Sequence, residues 1–337
     1  MNAHAFRNAV VALAALLLGT SVTACSPELQ GREASGPGRE AESTTEPAPS
    51  GLEARRVWSG GDFTPYVAAP SPDGRLITDV DWSTGDLAVI DLETGEKRRV
   101  TDKGSWSESD SYAESSIFSP DGGRIAYVWF DEETNGFQIR TISAAGEDIR
   151  VAFPTNPSVS YVVVEDWSAD GQRILATVFR KDRTSEIGIL EVETGRYVIL
   201  ETNDWRAPAF AAFSPDGRFV AYDFPVDEGF RQRDVFALST DGSRKSTLVR
   251  GPGHDRLLGW LPDGGGVLLH RQRDDARDIW ILPVTDGRPA GEPEPLKRDV
   301  WQVSPFGFAK DAYYYGVAAE SRQVHTVRVD LSTGRVM

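Results

Sequence analysis

Sulfur is almost missing from this chain. A single cysteine, Cys25, stands among 337 residues. No intrachain disulfide can form, and no cluster of thiolates can hold a metal. Histidine is nearly as scarce, with only His4, His254, His270 and His325. Their spacings do not match those of zinc ligands, so neither a metal nor another cofactor is expected. Basic charge is in deficit too: 36 Lys and Arg stand against 51 Asp and Glu, a net charge of −15. That balance excludes the basic footprint of a nucleic-acid binder. It also excludes broad electrostatic adhesion to anionic lipid. Acidity of this kind serves solubility, with an acidic recognition surface as the alternative. Long hydrophobic runs are absent as well. The best, residues 9–18, is too short to stay in a bilayer as a helix.

That short run has another meaning. Arg7 precedes it and small residues follow, which is the layout of a secretory signal peptide over residues 1–24. Val22-Thr23-Ala24-Cys25-Ser26 resembles the lipobox of bacterial lipoproteins. The resemblance implies cleavage before Cys25 and a lipid on its sulfur. The alternative is plain secretion with cleavage after Ala24. Ser26, where an aspartate would favour inner-membrane retention, implies the outer membrane if the envelope is Gram-negative. Residues 25–52 are rich in Glu, Ser, Gly, Pro and Thr. Such a stretch buries too little apolar surface to offset its ordering entropy, and it reads as a flexible tether.

The body of the chain, residues 53–337, is organised by a repeated turn. Ser71-Pro72-Asp73-Gly74 returns as Ser119-Pro120-Asp121-Gly122, Ser168-Ala169-Asp170-Gly171, Ser214-Pro215-Asp216-Gly217 and Leu261-Pro262-Asp263-Gly264. It ends worn down as Ala309-Lys310-Asp311-Ala312. The aspartates fall 46 to 49 residues apart, a period that signals an array of one supersecondary unit. Proline suits the second position of a type I turn, and aspartate and glycine suit the next two. Around each turn the sequence breaks into four short runs rich in β-branched and aromatic residues. The second runs, such as Ile125-Ala126-Tyr127, are apolar on both faces. The third runs, such as 87–92 and 187–192, read as alternating. Three residues before the aspartate stand Phe118, Trp167, Phe213, Trp260 and Phe308, with Pro70 the exception. Those aromatics are expected to pack between neighbouring sheets.

The fold class predicted is all-β: a six-bladed β-propeller with four antiparallel strands per blade. The sixth repeat reaches Met337 before any fourth strand can be read. Near the start, Arg55-Arg56-Val57 repeats Arg98-Arg99-Val100, which is a fourth strand. The N-terminal segment is therefore expected to complete the last blade and remove its open edge. The alternative is that the sequence is a piece of a longer protein.

The phrase from Phe213 to Tyr222, Phe-Ser-Pro-Asp-Gly-Arg-Phe-Val-Ala-Tyr, resembles the propeller repeats of TolB-like proteins, over about residues 54–337. The resemblance implies a periplasmic protein-binding role in an envelope complex. The repeats also resemble propellers placed before prolyl-oligopeptidase-type hydrolases. No Gly-x-Ser-x-Gly nucleophile elbow occurs in the chain.

Candidate sites are sought in the connectors between blades, which propellers gather around the channel mouth. These carry Trp106, Tyr161, Trp205, Arg206, His254, Arg256 and Trp301. Aromatic and arginine side chains dominate binding hot spots. The competing expectation is local packing at the blade ends. Asp131–Gly136 begins like a calcium loop but has Ile142 where a bidentate glutamate is needed, so it reads as a hairpin. His270 reads as a satisfied histidine. The expectation is a monomeric, non-catalytic module binding an envelope protein or peptide, touching membrane only through Cys25. The alternative is a lyase or hydrolase acting on carbohydrate or peptide in the channel.

Overall fold

The computed structural model describes residues 54–59, 68–273, 276–300, 303–310, 312–317, 323–330 and 335–336. The leader, Cys25 and the tether lie outside the described residues, as does Trp301. Every element among the described residues is a strand, and the strands form groups in chain order.

Strand β1 (Ala54–Ser59) belongs to the last group. The first group holds β2 (Leu76–Asp81), β3 (Asp86–Asp91) and β4 (Lys97–Arg99). Its would-be first strand is a single bridge from Pro70 to Ile77, since proline has no N–H to continue a ladder. The second group is β5 (Tyr112–Phe118), β6 (Arg124–Asp131), β7 (Gly136–Ser143) and β8 (Arg150–Phe153). Asp131–Gly136 is the hairpin between β6 and β7. The third is β9 (Val159–Trp167), β10 (Arg173–Arg180), β11 (Ser185–Glu191) and β12 (Tyr197–Asn203). The fourth is β13 (Ala211–Phe213), β14 (Phe219–Pro225), β15 (Arg233–Ser239) and β16 (Lys245–Val249). The fifth is β17 (His254–Trp260), β18 (Gly266–Arg273) and β19 (Ala276–Thr285), with β20 (Arg288–Pro289) and β21 (Glu294–Lys297) both on β19. One parallel bridge, Arg233 to His254, joins the fourth and fifth.

The last group is β22 (Val303–Ala309), β23 (Ala312–Val317) and β24 (Gln323–Asp330), followed by β25 (Arg335–Val336). The outer edge of β24 is covered in two pieces. β1 pairs antiparallel with it from Ala54↔Val327 to Ser59↔Gln323, and β25 takes Val329 and Asp330. The expectation of no fourth strand after β24 is thus corrected by β25, two residues long. The outer strands share one irregularity. Val57, Ala152, Leu200, Leu248 and Leu296 are each the extra residue of a β-bulge. Four of these lie 48 residues apart, and a bulge at Val57 gives β1 the form of a fourth strand.

The repeated turn closes as its residues require. Ser71 O accepts Gly74 N at 2.8 Å. Asp73 Oδ1 accepts from Ser71 Oγ at 2.5 Å and Arg75 N at 3.0 Å, while Leu76 N donates to Ser71 Oγ at 2.8 Å. The same bonds recur at Ser119, Ser168 and Ser214. Serine hydroxyl and following amide hold Asp73, Asp121 and Asp170 below the ordinary carboxylate range. Where Leu261 replaces serine, Asp263 keeps its amide partner, Gly265 N at 2.8 Å.

The hydrophobic core lies between groups, not within them. Phe118 packs with Val80 and Leu87, Trp167 with Val128 and Ile139, Phe213 with Leu175 and Ile187, and Trp260 with Ala221 and Val235. Phe308 packs with the cluster of Leu268 and Tyr315, and Phe306 and Tyr314 pack with Ile77 and Ile90. Each such side chain contributes about 1.5–3 kcal/mol when fully buried. The third strands β3, β11 and β15 are buried along nearly their whole length, which corrects the alternation expected of them. They are covered on both faces by neighbouring groups.

Two glycines test whether the last group rests on the first. Gly171 and Gly74 both adopt left-handed φ, at 71° and 69°. An added Cβ meets nothing within 4 Å at Gly171, but collides with the Tyr314 hydroxyl at Gly74. Gly171→Ala should cost about 1–2 kcal/mol of backbone strain. Gly74→Ala should cost about 1–3 kcal/mol more, from the clash. Urea unfolding of both variants checks this, and equal losses would mean that Tyr314 does not seat on that turn.

Candidate functional site

Among the described residues the first strands of neighbouring groups run beside one another without a shared ladder; the Arg233–His254 bridge joins the third strand β15 to β17. Their free backbone groups are met by side chains instead. Thr78 Oγ1 donates to Ser116 O at 3.2 Å, and Val164 N donates to Ser115 Oγ at 3.1 Å. Phe213 N donates to Asp166 Oδ2 at 2.8 Å, and Leu257 N to Asp223 Oδ2 at 3.1 Å. Trp260 Nε1 donates to Ala212 O at 3.2 Å, and the Tyr313 hydroxyl to Leu258 O at 2.7 Å. The Tyr314 hydroxyl donates to Gly74 O at 3.1 Å, and Lys310 N to Pro72 O at 2.9 Å.

These strands enclose a cavity of about 430 Å³. Its wall draws on every group, from Ala68–Pro70 through Ser115–Phe118, Val163–Trp167, Ala209–Phe210 with Ala212–Phe213, Leu258–Trp260 and Ser304–Phe308. Most of the lining is small or apolar. The charged exceptions are Glu165, Asp166 and Arg256. Glu165 gets there through a bulge: it is the extra residue of β9 between Val164 and Asp166. Leu258 and Phe306 are the extra residues at the matching places in β17 and β22. A bulge re-aims a side chain, and here it turns a carboxylate onto the wall.

Both acids are held by the scaffold. Thr177 Oγ1 donates to Glu165 Oε1 at 2.7 Å, and the Ala211 amide acts on the same carboxyl. Asp166 accepts from Trp167 N and Phe213 N, each at 2.8 Å. Burial pushes Glu165 up to about 7, helped by the Asp223 charge and opposed by Thr177. Burial pushes Asp166 up to about 7, against its two amide donors. Among the described residues no three His, Cys, Asp or Glu side chains gather closely enough to hold a metal ion.

Of the residues singled out in sequence, Arg256 lies on the cavity wall, where its Nη1 reaches Val303 O at 3.5 Å. Trp106 and Tyr161 belong to a row of rings outside the cavity lining. Trp106 meets Tyr112 at 6.3 Å, Tyr112 stacks on Phe130 at 5.2 Å, and Phe130 meets Phe137 at 5.3 Å. Phe137 meets Tyr161 edge-on at 4.9 Å, and Tyr161 meets Phe179 at 5.9 Å. Apart from buried Tyr112, these rings are half-buried. The Tyr161 hydroxyl donates to Glu114, a buried acid pushed up to about 7 by desolvation. Trp106 packs over Gly85, and its Nε1 donates to Trp82 O at 3.1 Å, so it has a local seat.

Trp205 and Arg206 form a separate knob. Trp205 is 40% exposed and meets Phe230 at 5.3 Å. Arg206 is clamped by Asp204, with Nε to Oδ1 at 2.9 Å and Nη2 to Oδ2 at 2.8 Å. His254 opens β17, and burial beside the Arg233 guanidinium pushes it down to about 4, so the ring is neutral at pH 7. His270 is buried with Nε2 3.1 Å from Val300 O, a satisfied histidine.

No family model matches the chain, and no curated protein matches it by sequence. Solved structures do match. A protein assigned as TolB from Agrobacterium tumefaciens is 19% identical, with a TM-score of 0.56 over 75% of this chain and 90% of its own. An oligogalacturonate lyase from Vibrio parahaemolyticus is 13% identical, with a TM-score of 0.54 over 83% and 94%. A prolyl endopeptidase is 18% identical, with a TM-score of 0.50 over 85% of this chain and 42% of its own. At such identities the likeness is one of fold. The chain has a TolB-like propeller fold, which these proteins use for different ends.

The wall acids give stability an unusual pH trend. A carboxyl raised from an ordinary value near 4.5 to about 7 binds more protons folded than unfolded between those limits. Its contribution is full below about 4.5 and is lost as pH rises through about 7. Glu165→Gln removes this. Its melting temperature relative to wild type should rise steadily from pH 5 to pH 8, and a flat difference would mean Glu165 is ionised throughout.

Proposed function

We propose that the chain is a closed six-bladed propeller, tethered to the bacterial envelope by a lipid on Cys25, that binds a protein or peptide at its channel mouth without changing it covalently. The strand groups, the packing of Phe306 and Tyr314 on Ile77, and the pairing of β1 with β24 support the ring. The cavity drawing on every group is then its axial channel.

The observation that carries the binding role is the state of the channel acids. Glu165 and Asp166 are tied to Thr177 and to backbone amides of the neighbouring inner strand, and no histidine belongs to the wall among the described residues. A carboxyl that ties inner strands together is fixed to the scaffold, and only part of its accepting capacity is left for a substrate. The mouth offers aromatic rings and arginine instead, the side chains of binding hot spots. An acidic, monomeric head on a flexible tether would have the reach to find a partner in the envelope.

One feature favours an enzyme. Glu165 titrates near neutrality on the wall of a cavity, where an acid–base catalyst would sit. The substrate would then be a carbohydrate or peptide threaded along the axis.

Crosslinking in the native envelope separates these readings. Photoreactive residues at Ser107 and Glu228 should each be tested for a captured protein. A partner retained by the Glu165→Gln protein supports the binding role, and a covalently altered product that disappears with that change supports the enzyme. The anchor is checked by palmitate labelling: wild type should take label and Cys25→Ala should not, and equal labelling would remove the lipid from the account.

A further inference from the structure

The row of rings from Trp106 to Phe179 lies beside two loops of one charge sign. Connector 101–111 carries Asp102, Glu108 and Asp110, and hairpin 131–136 carries Glu132 and Glu133, all exposed. Half-buried Asp131 is paired with Arg140 at 3.3 Å and Asp102 with Arg99 at 4.0 Å, which leaves Glu108, Asp110, Glu132 and Glu133 against Lys103, the one base in the two segments. The loops form a single surface. Glu132 accepts from Asp110 N at 2.9 Å and Ser109 Oγ at 3.1 Å, and Glu132 N donates to Ser111 Oγ at 3.1 Å.

Lys103 shows what this surface takes. Its ammonium stands 4.2 Å from the centroid of Trp106, while Nζ donates to Ser109 O at 2.6 Å. A cation over an indole face is favoured by about 0.5–2 kcal/mol, more as water is excluded. Beyond Trp106 the rings follow one another at 4.9 to 6.3 Å. Alternate side chains of an extended peptide lie about 6.8 Å apart on one face. An extended chain laid along the row would place its apolar side chains on the half-buried rings of Trp106, Phe130, Phe137 and Tyr161, which Tyr112 joins from beneath, and its charges over the acidic loops.

We propose that this surface is the docking site for an extended cationic peptide segment, in which lysine or arginine alternates with apolar or aromatic residues. The assignment rests on the binding role proposed above and names the chemistry of the partner. Charge complementarity selects it: the loops keep a net negative charge that repels an acidic segment, and an uncharged one would gain nothing from them.

The probe is a fluorescently labelled 12-residue peptide alternating lysine with leucine and tyrosine, against a copy with glutamate for every lysine. Anisotropy should show the cationic peptide binding the full-length protein at least tenfold more tightly. Raising NaCl from about 50 to 500 mM should weaken it severalfold by screening. The paired charge reversal Asp110→Lys with Glu133→Lys should cost at least tenfold, and Trp106→Ala should also weaken binding. The reversed pair touches only exposed side chains, and its melting curve verifies that the fold is kept. Asp227→Lys with Glu228→Lys, beside the Trp205 knob, should bind as wild type. If the control reversal abolishes binding and the Asp110/Glu133 pair does not, this site is overturned while a binding role at the other side of the mouth stands. Equal affinity for both peptides, or none for either, overturns the proposal. In that case capture at Ser107 or Glu228 in the envelope still decides the broader role.

Discussion

Inner strands that, among the described residues, share no ladder with one another are the constraint on which the rest of this molecule depends. Each brings unpaired amides and carbonyls to a crowded edge, and buried backbone groups must find partners. Nearly all the answers come from side chains of the adjacent group: Thr78, Ser115, Asp166, Asp223, Trp260, Tyr313 and Tyr314. Individually such bonds add about 0.5–1.5 kcal/mol, less than the apolar clusters beside them. Their effect is on placement. Hydrophobic packing would tolerate a sliding of one sheet against the next, whereas a carboxylate aimed at one amide does not.

That constraint explains the acids of the cavity. Asp166 and Glu165 sit where other repeats put small or apolar residues such as Ala212, Leu258 and Phe306. One is used by Phe213 N and the other by Thr177. Carboxyls placed for structural bonding in a poorly hydrated wall are raised by desolvation, so near-neutral titration arises without any catalytic demand. The same logic covers Glu114 under Tyr161.

Much of this architecture was legible in the sequence. The period, the serine–aspartate turn and the aromatic before it rest on local chemistry that each repeat spells out. The match of Arg55-Arg56-Val57 to Arg98-Arg99-Val100 foretold which strand edge β1 would occupy. The third strands misled because buried Asp86, Glu186 and Asp234 look like solvent-facing residues in a string of letters. Partners near in the chain cover them: Thr101 and Lys103 N for Asp86, Arg180 for Glu186, and Gln232 for Asp234. Glu165 carried no flag at all, since a bulge leaves no motif. A signal did exist for the outer bulges, in apolar residues at 152, 200, 248 and 296. Of the site residues, Arg256 reached the cavity. Trp106 and Tyr161 were joined only through Tyr112, Phe130 and Phe137, which come from strand ends that the connectors alone did not reveal.

The split outer edge of β24 has a mechanical side. Ala54 pairs with Val327 and Ser59 with Gln323, so load entering from the N-terminal direction reaches one end of β1 first. The ladder between β1 and β24 would carry such a load before it reached the rest of the sheet. A head held by its own outermost strand would register tugging there before any other sheet felt it.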